Sequence, residues 1–260
     1  MQDVKAKKHL GQHFLKNEVI AEKIVSALPL TDDYDTILEI GPGMGVLTKY
    51  LLKIDTKKLV AVDIDAESIN YLQKKYSGLN ILEADFLKLN IENLTNNKIA
   101  VIGNFPYNIS SQILFKILEN KETVPFIVGM FQKEVAQRIA SAPGNKDYGI
   151  LSVLMQTFYD VEYLFSVDEH EFSPPPKVKS GVLFFSIKRN KKLSCSEKLF
   201  FNVVKTAFNQ RRKTLRNALK PININWSGTE SEKFLNKRAE QLSPDDFEIL
   251  TTELENSQNL

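Results

Sequence analysis

"TILEIGPGMG", Thr36 to Gly45, is an apolar, β-branched run that passes without a break into a stretch holding three glycines and a proline. The run reads as a buried strand. Glycines placed directly after it let the backbone turn tightly and come close to a ligand at the start of the following helix. Some twenty residues on, a second apolar run ends in "VDID", which sets Asp63 where a carboxylate can accept both hydroxyls of a ribose. The two stretches together point to a nucleoside cofactor. On the loop alone, NAD and S-adenosyl-L-methionine remain open, as does a purely structural turn.

Outward from this loop, short β-branched runs alternate with segments of helical period. Strands are expected at 36–40, 59–64, 79–84, 99–104 and 125–131, with helices at 46–53, 66–76 and 110–118 between them. Continuously apolar strands separated by helices predict a parallel sheet covered on both faces. Two further helices at 132–140 and 149–158 lead to "YDVEYLFSV" and "GVLFFSIKR", a pair of strands joined across "SPPPKVKS" and expected as an antiparallel edge hairpin. Beyond Ser194 only helical signals remain, which predicts a domain boundary near 190. Ser243, followed by a proline and two acids, reads as the N-cap of a helix running to about Glu255.

Composition bounds the rest. With 260 residues, 43% hydrophobic and 25% charged, the chain is expected to be an ordinary globular protein. Its longest apolar runs, such as "FIVGMF", fall well short of the ~20 residues of a membrane span, so neither insertion nor export is expected. One cysteine, Cys195, and three histidines offer neither a disulfide nor a zinc-ligand cluster, in keeping with a reducing, cytoplasmic setting and no metal. The net charge of +2 conceals an uneven distribution: residues 188–220 carry eleven Lys/Arg against Glu197 alone, while the stretch from Pro221 onward is acidic. A confined positive field suits a polyanion, although a charge run is also a common solvated face. In "KTAFNQRRKTLRNALK", an unbroken helix would set Val204, Phe208, Leu215 and Leu219 on one side and Lys205, Arg212, Arg216 and Lys220 on another.

Three features separate the cofactors. Glu39 precedes the glycines, the third strand ends in "EADF" with Asp85 able to accept from an adenine amine, and the fourth ends in "NFPY". A dehydrogenase has no use for the last. Adenine N6 is a poor nucleophile because its lone pair is delocalised into the ring. An Asn104 side-chain oxygen and a main-chain carbonyl held by Pro106 can accept both amine hydrogens and steer that nitrogen toward a tetrahedral geometry. Tyr107 supplies a ring on which an extruded base can stack, worth ~1–3 kcal/mol.

These residues resemble a known family. "GNFPYN" matches the N-x-P-Y motif of amino-methyltransferases, and the chain is similar to the ribosomal RNA adenine dimethyltransferases, which modify two adjacent adenosines near the 3′ end of small-subunit RNA. The resemblance runs through "KKHLGQHFL", "EIGPGMG", "NFPYNIS", "FQKEVAQR", "FSPPPKVKSGV" and "AFNQRRKTLRNAL", nearly the whole length and in the family's order. It implies a Rossmann-like methyltransferase sheet, mostly parallel, over residues 1–190 and a small all-α RNA-binding domain over 191–260. It further implies that the segment around His13 and Leu15 closes over the methionine end of S-adenosyl-L-methionine. Gly41 and Gly43 would approach the cofactor through backbone near Glu39, with Asp63 on the ribose, Asp85 on the adenine, Asn104 between cofactor and target, and Phe172 a second stacking face. Lys205, Arg211, Arg212, Lys213 and Arg216 would meet RNA, on a pre-ribosomal particle, with the protein a monomer. The family pattern has Asn where this sequence has His13. His9 and His170 read as surface or packing residues. The large-subunit adenine methyltransferases that confer antibiotic resistance share the N-terminal motifs but are not expected to carry "FNQRRKTLRN". A catalytically silent nucleic-acid-binding factor of the same fold is the other alternative.

Overall fold

The structure is a computed structural model that describes residues 4–95, 97–222, 226 and 229–258. In chain order, β1 (Phe14–Leu15) and α1 (Glu18–Ser26) precede β2 (Thr36–Ile40), α2 (Thr48–Leu51), β3 (Lys58–Asp63), α3 (Ala66–Lys75) and β4 (Ile81–Glu83). Next come β5 (Ile99–Asn104), α4 (Ser110–Glu119), β6 (Phe126–Gln132), α5 (Lys133–Ile139) and α6 (Ile150–Phe158). The last elements are β7 (Tyr159–Val167), β8 (Phe172–Ser173), β9 (Ser180–Ile187), α7 (Glu197–Asn209), α8 (Leu215–Ala218) and α9 (Pro244–Gln258).

The main sheet has the order β4-β3-β2-β5-β6-β9-β7. Pairs from β4 through β6 are parallel, and β9 runs antiparallel to β6, with Gln132 opposite Ser180. Every residue of β2 is buried, as are the first five of β5. That is why neither shows an apolar–polar alternation: a central parallel strand has no solvent face to mark with polar residues, and Glu39 and Asn104 are polar where the strands reach the crevice. Strand order reverses between β2 and β5. A crevice therefore opens beyond their carboxyl ends, where Glu39 and Asn104 lie. The two strands approach closely there: a Cβ on Gly103 would stand 2.5 Å from the Ile40 carbonyl oxygen, so only glycine fits.

Three elements, α1, β1 and β8, escaped the sequence reading. Helix α1 is capped by Asn17, whose Oδ1 accepts from the Val19 and Ile20 N–H groups at 3.0 and 3.2 Å. The two-residue strands β1 and β8 pair antiparallel, Phe14 with Ser173 and Leu15 with Phe172. Neither has enough length for a period of two to show.

The chain divides into two compact units, Met1–Ala136 with Val161–Ile187, and Gln137–Asp160 with Lys188–Leu260. A single cut near 190 therefore misses the loan of α6 to the helical unit. Aromatic side chains tie it there: Phe158 meets Phe201 at 6.4 Å, and Tyr148, just before α6, lies 6.4 Å from Phe208. The expected cap of α9 is present as a reciprocal pair, Asp246 N–H to Ser243 Oγ at 3.1 Å and Ser243 N–H to Asp246 Oδ2 at 2.9 Å.

The basic helix is not continuous. It stops at Asn209, a turn carries Gln210 to Thr214, and α8 restarts at Leu215. Residues 210–214 favour helix by propensity, but tertiary bonds prevail: the N–H groups of Leu215 and Arg216 donate to the carbonyls of Lys237 and Leu235 at 2.8 and 2.9 Å. Internal partners also occupy part of the basic block. Lys188 donates to the Gln156 carbonyl at 2.6 Å, and Lys191 pairs with Glu248 at 2.7 Å.

Candidate active site

Ten of the eleven residues expected at cofactor or target line one cleft: His13, Leu15, Glu39, Gly41, Gly43, Asp63, Asp85, Asn104, Pro106 and Tyr107. The exception is Phe172. It is 1% exposed, pairs through its backbone with Leu15 and belongs to the apolar core, so in this structure it offers no stacking face. Conversely His9, read as an ordinary surface or packing residue, is part of the cleft wall. His170 stays at the surface beside Glu171.

The geometry of "NFPY" follows from one buried ring. Phe105 is fully buried and packs edge-on against Phe131 at 5.2 Å. Side chains alternate along extended backbone, so seating Phe105 inward turns Asn104 and Pro106 toward the cleft. Asn104 Nδ2 then donates to the His13 carbonyl at 2.9 Å. A carbonyl only accepts, which fixes the carboxamide's orientation and leaves Oδ1 as the atom for a ligand. The Tyr107 hydroxyl is tethered to Ser180 Oγ at 2.6 Å, and its ring stacks on that of His13 with centroids 5.6 Å apart. His13 Nδ1 lies 2.8 Å from the Pro174 carbonyl, again obliging the nitrogen to be the donor.

The glycine loop takes its shape from left-handed backbone at Gly41 and Gly43, with φ of 65° and 55°. At Gly43 a Cβ would also press to 2.9 Å from the Phe14 ring. Asp63 Oδ1 accepts from the Asp65 N–H at 2.9 Å and its Oδ2 faces the Gly43 N–H at 3.5 Å. Burial pushes this carboxyl above the usual range against those N–H groups. Asp85 caps the turn at Phe86–Lys88 through the Leu87 N–H at 3.0 Å while lining the cleft, so its structural and ligand-facing roles coexist.

Glu39 is 1% exposed and accepts from Thr48 Oγ1 at 2.7 Å. Burial raises its carboxyl to about 7, with the nearby Asp63 charge acting the same way. The folded state thus holds a proton that the unfolded chain releases near the ordinary glutamate value. Stability is highest below about pH 4.5 as far as this group is concerned, and falls through about pH 7 by on the order of 3 kcal/mol. Glu39→Gln, which keeps an acceptor for Thr48, is expected to shrink the loss of urea stability between about pH 5 and pH 8 by most of that amount. An undiminished loss would mean that another group titrates.

A network missed in the sequence fastens the N-terminal segment. Asp65, 2% exposed, receives Lys7 Nζ, Gln12 Nε2 at 2.9 Å and Ser68 Oγ at 2.9 Å. Burial alone would raise its carboxyl, but these bonds hold it down at about 2. Lys7, Gln12 and Asp65 lie too far apart in sequence for spacing to reveal them.

The residues of the cleft suit a cationic nucleoside better than a dinucleotide. Three acidic side chains line it, of which Asp63 and Asp85 carry the negative charge and Glu39 is held near neutrality, and among the described residues the lining includes no Lys or Arg. Such a wall attracts a sulfonium and accepts from hydroxyls and an amine, and it repels a pyrophosphate. In the helical unit, Lys205, Arg212, Lys213 and Arg216 are exposed. Arg211 is partly buried and turned inward, its guanidinium donating to the Lys146 carbonyl and lying 4.0 Å from Glu240.

The family described as Ribosomal RNA adenine dimethylase matches residues 3–254. A relative from Cytophaga hutchinsonii, named Ribosomal RNA small subunit methyltransferase A, is 57% identical over 258 residues, 98% of this chain and 99% of its own. Among solved structures, a dimethyladenosine transferase from Plasmodium falciparum superposes with a TM-score of 0.81 at 27% identity, covering 95% of this chain and 98% of its own. The 23S rRNA methyltransferase ErmE, at 23% identity and a TM-score of 0.70 over 94% of this chain and 99% of its own, shares the fold. Because the match runs through both units rather than stopping at the sheet, the chain belongs to the ribosomal RNA adenine dimethylase family.

Proposed function

We propose that the protein transfers methyl groups from S-adenosylmethionine to N6 of two adjacent adenosines near the 3′ end of small-subunit ribosomal RNA, giving N6,N6-dimethyladenosine. It would act on an assembling small-subunit particle, as a monomer, in the cytoplasm. One observation carries the chemistry: the Asn104 carboxamide is anchored through its nitrogen, so its oxygen faces the cleft beside Tyr107.

When bound, S-adenosylmethionine supplies an electrophilic methyl on a sulfonium. The chain's part is to bind, align and polarise. Asp63 accepts from the ribose hydroxyls, Asp85 from the adenine amine, and the backbone at Gly41 and Gly43 comes close to the cofactor. Tyr107 carries the target base. Asn104 Oδ1 and the carbonyl preceding Pro106 accept the two N6 hydrogens, which loosens the lone pair from the ring. Alignment of this kind contributes about 7–11 kcal/mol in favourable cases, and an aimed polar contact about 3–4 kcal/mol. No general base is needed, since the methylated amine becomes acidic enough to lose its proton to water.

Incubating the protein with small-subunit particles that lack the modification and with labelled S-adenosylmethionine, then mapping the methylated nucleotides, tests the reading. Label on two adjacent adenosines near the 3′ end is expected. Label on large-subunit RNA alone, or none, would overturn it.

The exposed Arg212 and Arg216 are assigned to RNA phosphates. Changing both to Ala is expected to weaken RNA binding and lower the slope of log affinity against log salt by about 1.5–2. An unchanged slope would remove them from the interface.

A further inference from the structure

We propose that Lys146 belongs to the phosphate-binding face of the helical unit, and that Arg211 is the positioning residue that places it there. This deepens the RNA-binding reading and rests on it.

Lys146 stands 65 residues from Arg211 in sequence, yet the Arg211 guanidinium donates to its main-chain carbonyl. The loop that carries it is built rather than slack. Its Gly144 N–H donates to the Glu240 carbonyl at 2.7 Å, the Asp147 N–H to Asn145 Oδ1 at 3.0 Å, and the Tyr148 N–H to the Asn145 carbonyl at 3.1 Å. Residues 142–146 are nonetheless all exposed, and beside Gly144 the space is open. The loop is therefore fixed at its base and bare at its tip.

Arg211 and Glu240 form that base. Glu240 Oε2 is buried with no hydrogen-bond partner, and the Arg211 Nε lies 4.0 Å away as its counter-charge. A guanidinium that faces the buried oxygen of a carboxylate on one edge and holds a carbonyl on another is tied to the fold on both edges. Its planar fork presents donors on two edges in a fixed geometry, which the compact head of a lysine does not reproduce. The residues that follow it, Arg212 and Lys213, are exposed on a turn closed by the Lys213 N–H to the Gln210 carbonyl at 2.8 Å. Arg211 thus ties together backbone from two distant segments, the loop that carries Lys146 and the turn that carries Arg212 and Lys213. The one acid in the loop, Asp147, is half-buried. Exposed cations carried on two segments of fixed backbone that one arginine joins fit a run of RNA phosphates.

Binding of small-subunit ribosomal RNA by the full-length protein, measured at several salt concentrations, tests this with Lys146→Gln, Arg211→Lys, Arg211→Ala and Arg212→Ala. Lys146→Gln is expected to weaken binding several-fold and lower the salt slope by about one, with S-adenosylmethionine affinity and melting temperature unchanged. Arg211→Lys, which keeps the charge, is expected to lose as much as Arg211→Ala, and neither loss should add to that of Lys146→Gln. If Lys146→Gln leaves affinity and slope intact while Arg212→Ala lowers both, the inference fails and the RNA-binding reading stands. If neither changes binding, both fail. Full affinity in Arg211→Lys would make Arg211 a direct charge contact and overturn its positioning role.

Discussion

Asn104→Ala is expected to lower methyl transfer by about a thousandfold or more while S-adenosylmethionine affinity stays within about threefold. The asymmetry follows from what each end of the carboxamide does. Its nitrogen is committed to the His13 carbonyl, and its oxygen is the acceptor proposed for the target amine. Removing it takes away the polarising contact and one bond to the strap at His13, which keeps its bond to the Pro174 carbonyl and its β1–β8 pairing. The carboxylates that would hold the ribose and adenine, Asp63 and Asp85, stay where their own backbone partners keep them. Transfer of labelled methyl to unmodified small-subunit particles and calorimetric titration of the cofactor separate the two quantities. Near-normal transfer, or a cofactor affinity that collapses with it, would defeat the assignment.

Asp63→Ala is expected to act on the other step and to raise the S-adenosylmethionine dissociation constant by about 10²–10⁴, since hydrogen bonds to a charged group contribute about 1.5–3 kcal/mol each and two are lost. The substitution also strips the Asp65 and Gly43 N–H groups of their acceptor. Asp63→Asn keeps that acceptor, so it should fold as well as the parent while still binding weakly. Cofactor titration together with the rise in melting temperature on adding cofactor checks both variants. A dissociation constant within about threefold of the parent in Asp63→Ala would place the ribose elsewhere.

Most of the sheet was legible because buried parallel strands write themselves as nearly continuous apolar runs. "TILEI" and "IAVIGN" were read to the residue as β2 and β5. The motif residues were legible for a different reason: glycines, acids and "NFPY" at strand ends have few other uses. What stayed hidden was set by contacts far apart in sequence. Nothing local in "NQRRKT" announces that the N–H groups of residues 215 and 216 will find carbonyls at 237 and 235. Nor does "SAPGNKDYG" show that α6 joins the helical unit through partners of Phe158 and Tyr148 beyond residue 200. Phe172 was misplaced because an aromatic ring in a motif carries no mark of which way it faces. Its pairing with β1 turns it into the core. Helix α1 could have been found, since Asn17 followed by Glu18 is an ordinary start signal.

The pairing of Phe14 with Ser173 bears on when the cleft comes into being during synthesis. A nascent chain has its glycine loop and "NFPY" early, but β1 has no strand to pair with until some 160 residues later, when β8 and the Pro174 carbonyl leave the ribosome. The wall of the cleft is therefore still incomplete when most of its lining has been made, and a two-residue strand closes it late.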